Sequence, residues 1–77
     1  MKNLTIFTAK SRLKILEIGT DLKISQKLKI IGLIPEKVIV IISNPTGNSP
    51  LIIQIDESRF AISKNIASNI FVEEMIL

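Results

Sequence analysis

Residues 28–35 read Leu-Lys-Ile-Ile-Gly-Leu-Ile-Pro, and they form the clearest helix end in the chain. Gly32 follows the last apolar helical position, where a residue in the left-handed conformation commonly terminates a helix. Pro35 prevents the helix from resuming, because it lacks an amide hydrogen and its ring clashes with the preceding turn. Upstream, apolar residues recur with i, i+4, i+7 spacing, typical of one helix face: Ile24, Leu28 and Ile31. The sequence therefore predicts a helix over residues 21–31.

The segment before this helix predicts a strand and a capping residue. Residues 12–18 mix apolar and charged positions, and the doublet Ile15-Leu16 interrupts the alternation, which indicates a β-bulge. Gly19 is expected to end the strand. Either Thr20 or Asp21 can cap the helix by accepting a hydrogen bond from a free amide of its first turn.

Four further strands are expected after the helix. Residues 36–43 contain the longest unbroken apolar run, Val38–Ile42, which favours a strand buried on both faces or one whose outer face meets something. Residues 44–50 are dense in turn-forming residues and predict a loop. The other predicted elements are strands over residues 51–56, 59–63 and 70–75, a tight turn at 57–58, and at most one helical turn over 64–68.

This order of elements predicts a mainly β domain, a small α+β fold spanning residues 1–77. The expected architecture is an SH3-like small barrel of five strands, with one short helix between the first and second strands. Closure of a barrel would remove exposed strand edges. A chain of 77 residues has room for one domain, and its 47% hydrophobic content offsets the small core that such a size allows.

The composition argues against catalysis and against a metal site. The chain has no cysteine and no histidine, which removes thiolate nucleophiles, disulfides and the commonest metal ligand and general base. The carboxylates are scattered, and the neighbours Glu73 and Glu74 would point to opposite faces of a strand. No glycine-rich phosphate loop follows a strand. We therefore expect no enzyme activity, no catalytic residue, no small-molecule substrate, no bound metal and no cofactor.

Charge is unevenly distributed along the chain. Residues 1–37 carry eight basic and three acidic groups, whereas residues 38–77 carry two basic and four acidic groups. The basic half suits an acidic partner, a phosphate backbone or an anionic membrane face, and it equally suits an ordinary solvated surface. No apolar run approaches the ~20 residues of a membrane helix, and the first residues lack a signal-peptide core, so we expect a cytoplasmic protein.

Several ordered motifs together resemble one known family. They are the opening Leu4-Thr5-Ile6-Phe7, the helix end at 28–35, the loop residues Gly47 and Pro50, the strand Phe60-Ala61-Ile62, and the closing Ala67, Ile70 and Val72. In this order and spacing they resemble the ferrous iron transport protein A (FeoA) family over nearly the whole chain. The resemblance implies an SH3-like fold and a non-enzymatic accessory role in ferrous iron uptake. It also implies one partner, the membrane ferrous iron permease of the FeoB type, through which alone the chain would be peripheral to the membrane.

The chain departs from the family pattern at three usual glycines, which are replaced by Lys10, Glu36 and Glu57. Glycine serves backbone conformations that other residues resist, so these turns are expected either to differ or to hold a strained residue. After the apolar-Ala-apolar strand, the family's arginine-type residue is replaced by Ser63, and Lys64 follows it.

The residues expected to bind the partner lie in three places. They are Lys23, Lys27, Leu33 and Ile34 in the helix and its end, the loop residues Asn44, Pro45, Thr46, Gly47, Asn48, Ser49 and Pro50, and Phe71 in the last strand. Apolar side chains in a connection can anchor a partner. The alternatives are core packing for Leu33, a solvated face for the two lysines and a plain connection for the loop. Phe71 is expected to be exposed, whereas Phe60 is expected to lie in the core.

Two other functions remain open on these residues. The chain suits an interaction module of a metal-responsive regulator system, and it also suits a small basic nucleic-acid-binding barrel. The second is disfavoured, because three phenylalanines are the only aromatic residues that could stack on bases. The sequence indicates no particular oligomeric state.

Overall fold

Six strands and two helices form the fold of residues 1–76, which are the residues that the computed structural model describes. The strands are β1 (Lys2–Asn3), β2 (Arg12–Ile18), β3 (Val38–Ser43), β4 (Leu51–Ile55), β5 (Ser58–Ile62) and β6 (Ile70–Glu74), and the helices are α1 (Leu22–Ile30) and α2 (Lys64–Ala67). A 3₁₀ turn, Leu4–Ile6, follows β1. The strands form one sheet in the order β1-β6-β2-β3-β4-β5, with antiparallel neighbours throughout.

The mainly β class is confirmed, but the expected count of five strands is corrected to six. The additional strand, β1, has only two residues, and it exists because Lys2 and Asn3 pair with Val72 and Phe71 of β6. A strand defined only by such a distant pairing leaves no periodic pattern in the sequence. As a result α1 lies between the second and third strands. Over residues 1–76 the ladder of paired strands ends at β1 and β5, and no described pairing joins these two strands to close a barrel.

The core lies on one face of the sheet and contains only apolar side chains. In β4, alternate residues are buried, as expected for a strand with one face on the core. In β3, alternate residues are buried and the others are half-buried. Of the two alternatives for this strand, burial on both faces is therefore wrong, and its outer face is partly open. The buried set is Leu4, Leu13, Ile15, Leu28, Leu33, Ile39, Ile41, Leu51, Ile53, Ile55, Ile62, Ala67, Ile70 and Val72.

The predicted bulge in β2 is confirmed. Ile15 pairs with Val72 of β6 and Glu17 pairs with the adjacent Phe71, so Leu16 has no partner opposite it. A bulge of this kind increases the local twist of the strand and re-aims the side chains that follow it.

Both ends of α1 follow the sequence signals. Asp21 is the cap: its Oδ1 accepts a hydrogen bond from the amide of Ile24 at 2.9 Å. At the other end Gly32 has φ +92°. This turn lets the amide of Leu33 donate to the carbonyl of Leu28 at 2.9 Å, which satisfies one of the free carbonyls at the helix end.

Among residues 1–76, three residues other than glycine adopt the left-handed conformation: Lys10 (φ 77°), Glu36 (φ 77°) and Asp56 (φ 54°). Lys10 and Glu36 occupy positions where either a different turn or a strained residue was expected, and the second alternative holds there. At the third, the strain falls on Asp56 instead of Glu57, and the β4–β5 turn accordingly begins one residue earlier than predicted. Backbone hydrogen bonds hold the first two in place, since the amide of Lys10 donates to Ile41 and that of Glu36 to Ile15, both at 2.7 Å.

Substitution of Lys10 by glycine is therefore expected to stabilise the protein. Glycine removes a left-handed penalty of about 1–2 kcal/mol and loses about 0.5–1 kcal/mol through the flexibility of the unfolded chain. The net expectation is a rise of about 0.5–1 kcal/mol in the free energy of unfolding, measured by urea denaturation. Glu57→Gly is the matched control, and we expect it to lower stability because Glu57 is not left-handed. Equal effects of the two variants would contradict the assigned strain.

Candidate partner-binding surface

No side-chain cluster in residues 1–76 is suited to a metal ion, and this part of the chain forms no pocket for a small ligand. None of the helices between residues 1 and 76 has the length and apolar character needed to cross a membrane. Residues 1–76 do present an outer surface on which a helix, a long loop and several large apolar side chains are exposed. The candidate site is built from these features.

The two apolar residues that follow Gly32 have opposite environments. Leu33 is fully buried and belongs to the core, so the alternative of core packing applies to it and its placement among the partner-binding residues is corrected. The next residue, Ile34, is 39% exposed. The left-handed turn at Gly32 reverses the chain and directs Leu33 inward, which leaves Ile34 partly exposed at the surface.

The outward face of α1 carries Lys23 and Lys27, as expected, and both side chains are exposed. The same face carries two large apolar residues that the sequence analysis did not assign to a site. Leu22 is 74% exposed and Ile30 is 84% exposed. The signal was present in the sequence, because positions 22 and 30 lie within one sector of a helix whose core sector is set by Ile24 and Leu28.

The loop between β3 and β4 is tied down at its base by Asn44. The side-chain Nδ2 of Asn44 donates to the carbonyls of Thr5 and Phe7, at 2.9 Å and 2.6 Å. Asn44 and Pro45 are half-buried, whereas residues 46–50 are exposed. Asn44 is therefore engaged within the fold, and the part of the loop that a partner can reach is its tip, residues 46–50.

A second clamp comes from Lys64, at the start of α2. Its Nζ donates to the carbonyl of Pro45 at 2.6 Å and to that of Gly47 at 2.9 Å. The preceding Ser63 caps α2, since its Oγ accepts a hydrogen bond from the amide of Ile66 at 3.2 Å. Sequence reasoning did not find this clamp, although the basic residue next to the family's arginine-type position was its signal.

Phe60 of β5 and Phe71 of β6 are neither fully buried nor fully exposed. Phe71 is half-buried rather than open, and its ring lies over Gly19, where an added Cβ would meet Cε2 of Phe71 at 3.3 Å. Part of the aromatic surface of Phe71 is therefore accessible. Phe60 is also half-buried and packs against the core, so its assignment to the core holds in part.

Two ion pairs neutralise carboxylates that sit on left-handed residues. Nζ of Lys37 lies 2.8 Å from Oδ2 of Asp56, and Nζ of Lys14 lies 3.7 Å from Oε2 of Glu36. Both carboxylates are largely exposed, so each pair contributes at most about 1 kcal/mol to stability. The main effect of the two pairs is to offset the charges of Glu36 and Asp56, and their effect on the free energy of unfolding is small.

Comparisons with known proteins agree on one fold. A crystal structure of an iron uptake regulatory protein (FeoA) is 26% identical, with 96% of this chain and 97% of that chain covered and a TM-score of 0.88. The solution structure of the FeoA protein from Chlorobium tepidum is 17% identical, with 97% and 71% covered and a TM-score of 0.88. The NMR structure of the FeoA-like protein from Clostridium acetobutylicum is 24% identical, with 97% of this chain and 87% of that chain covered and a TM-score of 0.80.

The sequence comparison identifies the family. No significant match was found among curated proteins. The sequence model of the FeoA domain, in contrast, matches residues 2–74, which is nearly the whole chain. The resemblance stated from the motifs is thereby confirmed, and the chain belongs to the FeoA domain family.

Proposed function

We propose that this protein is a cytoplasmic, non-enzymatic accessory of ferrous iron uptake that acts by contact with the membrane ferrous iron permease of the FeoB type. The observation that carries the proposal is the FeoA match over residues 2–74, since membership of this family implies a role in ferrous iron transport. A similar structure is that of an iron uptake regulatory protein, which supports a regulatory role.

The contact is proposed to use two exposed regions. One is α1 and its end, with Lys23, Lys27 and Ile34, and the other is the loop tip, residues 46–50. Phe71 adds a partly exposed aromatic surface. The clamps from Asn44 and Lys64 support the use of the loop, because a loop held at its base loses less conformational entropy when it binds.

The proposed mechanism is modulation of the permease and not carriage of iron. Ferrous iron in proteins is commonly held by histidine together with carboxylates and water. The chain has no histidine and no cysteine, and its carboxylates at Glu36 and Asp56 are engaged with lysines. Contact between proteins therefore accounts for an iron-transport role better than direct binding of the metal.

The test is an NMR titration of the isotope-labelled protein with the soluble cytosolic domain of the permease, in the absence of lipid. We expect shifts at Lys23, Lys27, Ile34 and residues 46–50. The exposed residues Ser58 and Arg59 of β5 are the internal control and should not shift. The absence of shifts at high concentration of that domain would reject it as the docking partner. Shifts confined to β5 would overturn the proposed surface.

A further inference from the structure

We propose that the outward face of α1 docks on an anionic lipid bilayer. This face, called the α1 outer face below, consists of Leu22, Gln26 and Ile30 in a row with Lys23, Lys27 and Lys29 beside it. This lipid proposal deepens the proposed function and rests on it, since contact with a membrane permease would bring the chain close to lipid. It departs from the expectation that the protein meets the membrane only through its partner.

Two exposed apolar side chains of α1 lie on one line along the helix surface. Leu22, Gln26 and Ile30 are spaced i, i+4, i+8 and so form a row about 12 Å long on the helix surface. Leu22 is 74% exposed and Ile30 is 84% exposed. The opposite side of the helix is packed, with Leu28 only 5% exposed. Helix α1 thus carries two large apolar side chains, Leu22 and Ile30, that the fold itself does not cover.

Positively charged side chains flank this row on both sides. On a helical projection Lys23 and Lys27 lie on one side of this row and Lys29 lies on the other. Residues 22–30 include no acidic side chain. Within residues 1–76 the ion pairs are Lys14 with Glu36 and Lys37 with Asp56, so the lysines of α1 take part in none of them. The face therefore presents three positive charges around two apolar side chains.

This combination of apolar and positively charged side chains fits an anionic bilayer better than it fits a protein partner or a second copy of the chain. Interfacial helices place apolar side chains at the boundary of the acyl chains while lysines reach the anionic headgroups. The polar Gln26 separates the two apolar residues, so they insert individually and do not form the clustered anchor that a protein interface favours. A second copy of the chain would oppose three lysines to three lysines, which is repulsive.

The affinity is expected to be modest. A lysine near an anionic surface contributes about 1 kcal/mol, which is roughly a fivefold change in partitioning. Three lysines and two partly inserted apolar side chains predict a partition constant on the order of 10³–10⁴ M⁻¹, at or somewhat below that of a single myristoyl chain. Such a contact is reversible. It would hold the chain near the membrane, and Lys23 and Lys27 would exchange the lipid headgroups for the permease when the protein contact forms.

The experiment measures co-sedimentation of the full chain with vesicles that contain phosphatidylglycerol and phosphatidylcholine, compared with phosphatidylcholine alone. We expect binding to the anionic vesicles at millimolar lipid, and loss of this binding at high salt because the charges are screened. Leu22→Gln with Ile30→Gln should weaken binding at least tenfold. Lys23→Gln with Lys27→Gln and Lys29→Gln should weaken it on the order of a hundredfold, from about fivefold for each lysine.

Matched controls change the same chemistry elsewhere. Ile6→Gln with Ile76→Gln removes two other exposed apolar side chains, and Lys2→Gln with Lys10→Gln and Arg12→Gln removes three other exposed charges. Both control variants should bind vesicles within about threefold of the parent chain, because most of the contact energy is assigned to α1. Circular dichroism verifies that each variant is folded.

The outcomes separate this proposal from the proposed function. No sedimentation of the parent chain with anionic vesicles, or equal losses in the α1 and control variants, would overturn the lipid proposal. If vesicle binding is absent while Leu22→Gln with Ile30→Gln abolishes binding to the permease domain, the face belongs to a protein partner. If vesicles are bound and the permease domain is not, the lipid proposal stands and the proposed function fails.

Discussion

Replacing Leu33 with alanine is expected to lower the free energy of unfolding by about 3 kcal/mol, within the range of 2–5 kcal/mol for buried leucines. Leu33 is fully buried in the core and follows the turn at Gly32 that ends α1. The substitution leaves a cavity that the neighbouring strands fill only in part. A chain of 77 residues is stable by about 4–12 kcal/mol, so this single change removes a large share of its stability. Urea denaturation followed by circular dichroism measures the loss.

Ile34→Ala is the matched control, one residue away. Because Ile34 is 39% exposed, we expect it to cost no more than about 1 kcal/mol. For binding to the permease domain we expect the reverse order, with the larger effect at Ile34. Ile34→Ala should weaken binding to the permease domain, whereas folded Leu33→Ala should bind normally. Similar losses of stability in both variants would contradict the assignment of Leu33 to the core and Ile34 to the surface.

Replacing Asn44 with alanine is expected to cost about 2 kcal/mol of stability and to release the β3–β4 loop. The substitution removes two hydrogen bonds, to the carbonyls of Thr5 and Phe7, in a partly buried setting. A buried acceptor left without a donor costs about 1–3 kcal/mol. Thermal unfolding measures the loss of stability, and amide hydrogen exchange of residues 44–50 measures the loosening of the loop.

Asn48→Ala provides the control at the exposed tip of the same loop. It is expected to change stability by no more than about 0.5 kcal/mol, as exposed substitutions usually do. If Asn48→Ala matched Asn44→Ala, the clamp would not be the source of the loop's order. Because the clamp is separate from the tip, we expect Asn44→Ala to weaken partner binding indirectly, through the entropy of the released loop.

The local elements could be predicted from short-range signals. The predicted helix, residues 21–31, differs from the observed one by one residue at each end, because Asp21 caps it and because Ile24, Leu28 and Ile31 recur with helical spacing. The bulge at Leu16 was visible as a doublet in an alternating strand. Each of these features depends on residues a few positions apart, so the chain near them carries the whole signal.

The candidate site could be predicted only in part. The loop tip and the lysines of α1 are exposed as expected, and Leu33 is not. The clamp by Lys64 joins positions 17–19 residues apart, and that by Asn44 joins positions 37–39 residues apart. No local pattern reports contacts between residues that are so far apart in the chain.

The sequence by itself determined the mainly β class, the helix with its two ends and membership of the FeoA family. At Lys10 and Glu36 it indicated either a different turn or a strained residue, and the structure has left-handed residues there. Only the tertiary structure decided the pairing of β1 with β6, the inward direction of Leu33 and the exposure of Leu22 and Ile30. The physical reason is that capping, turn geometry and periodicity act within about one or two turns of chain. Which apolar side chains are covered depends instead on which distant segments pack against them, and α1 has more apolar positions than the sheet can cover.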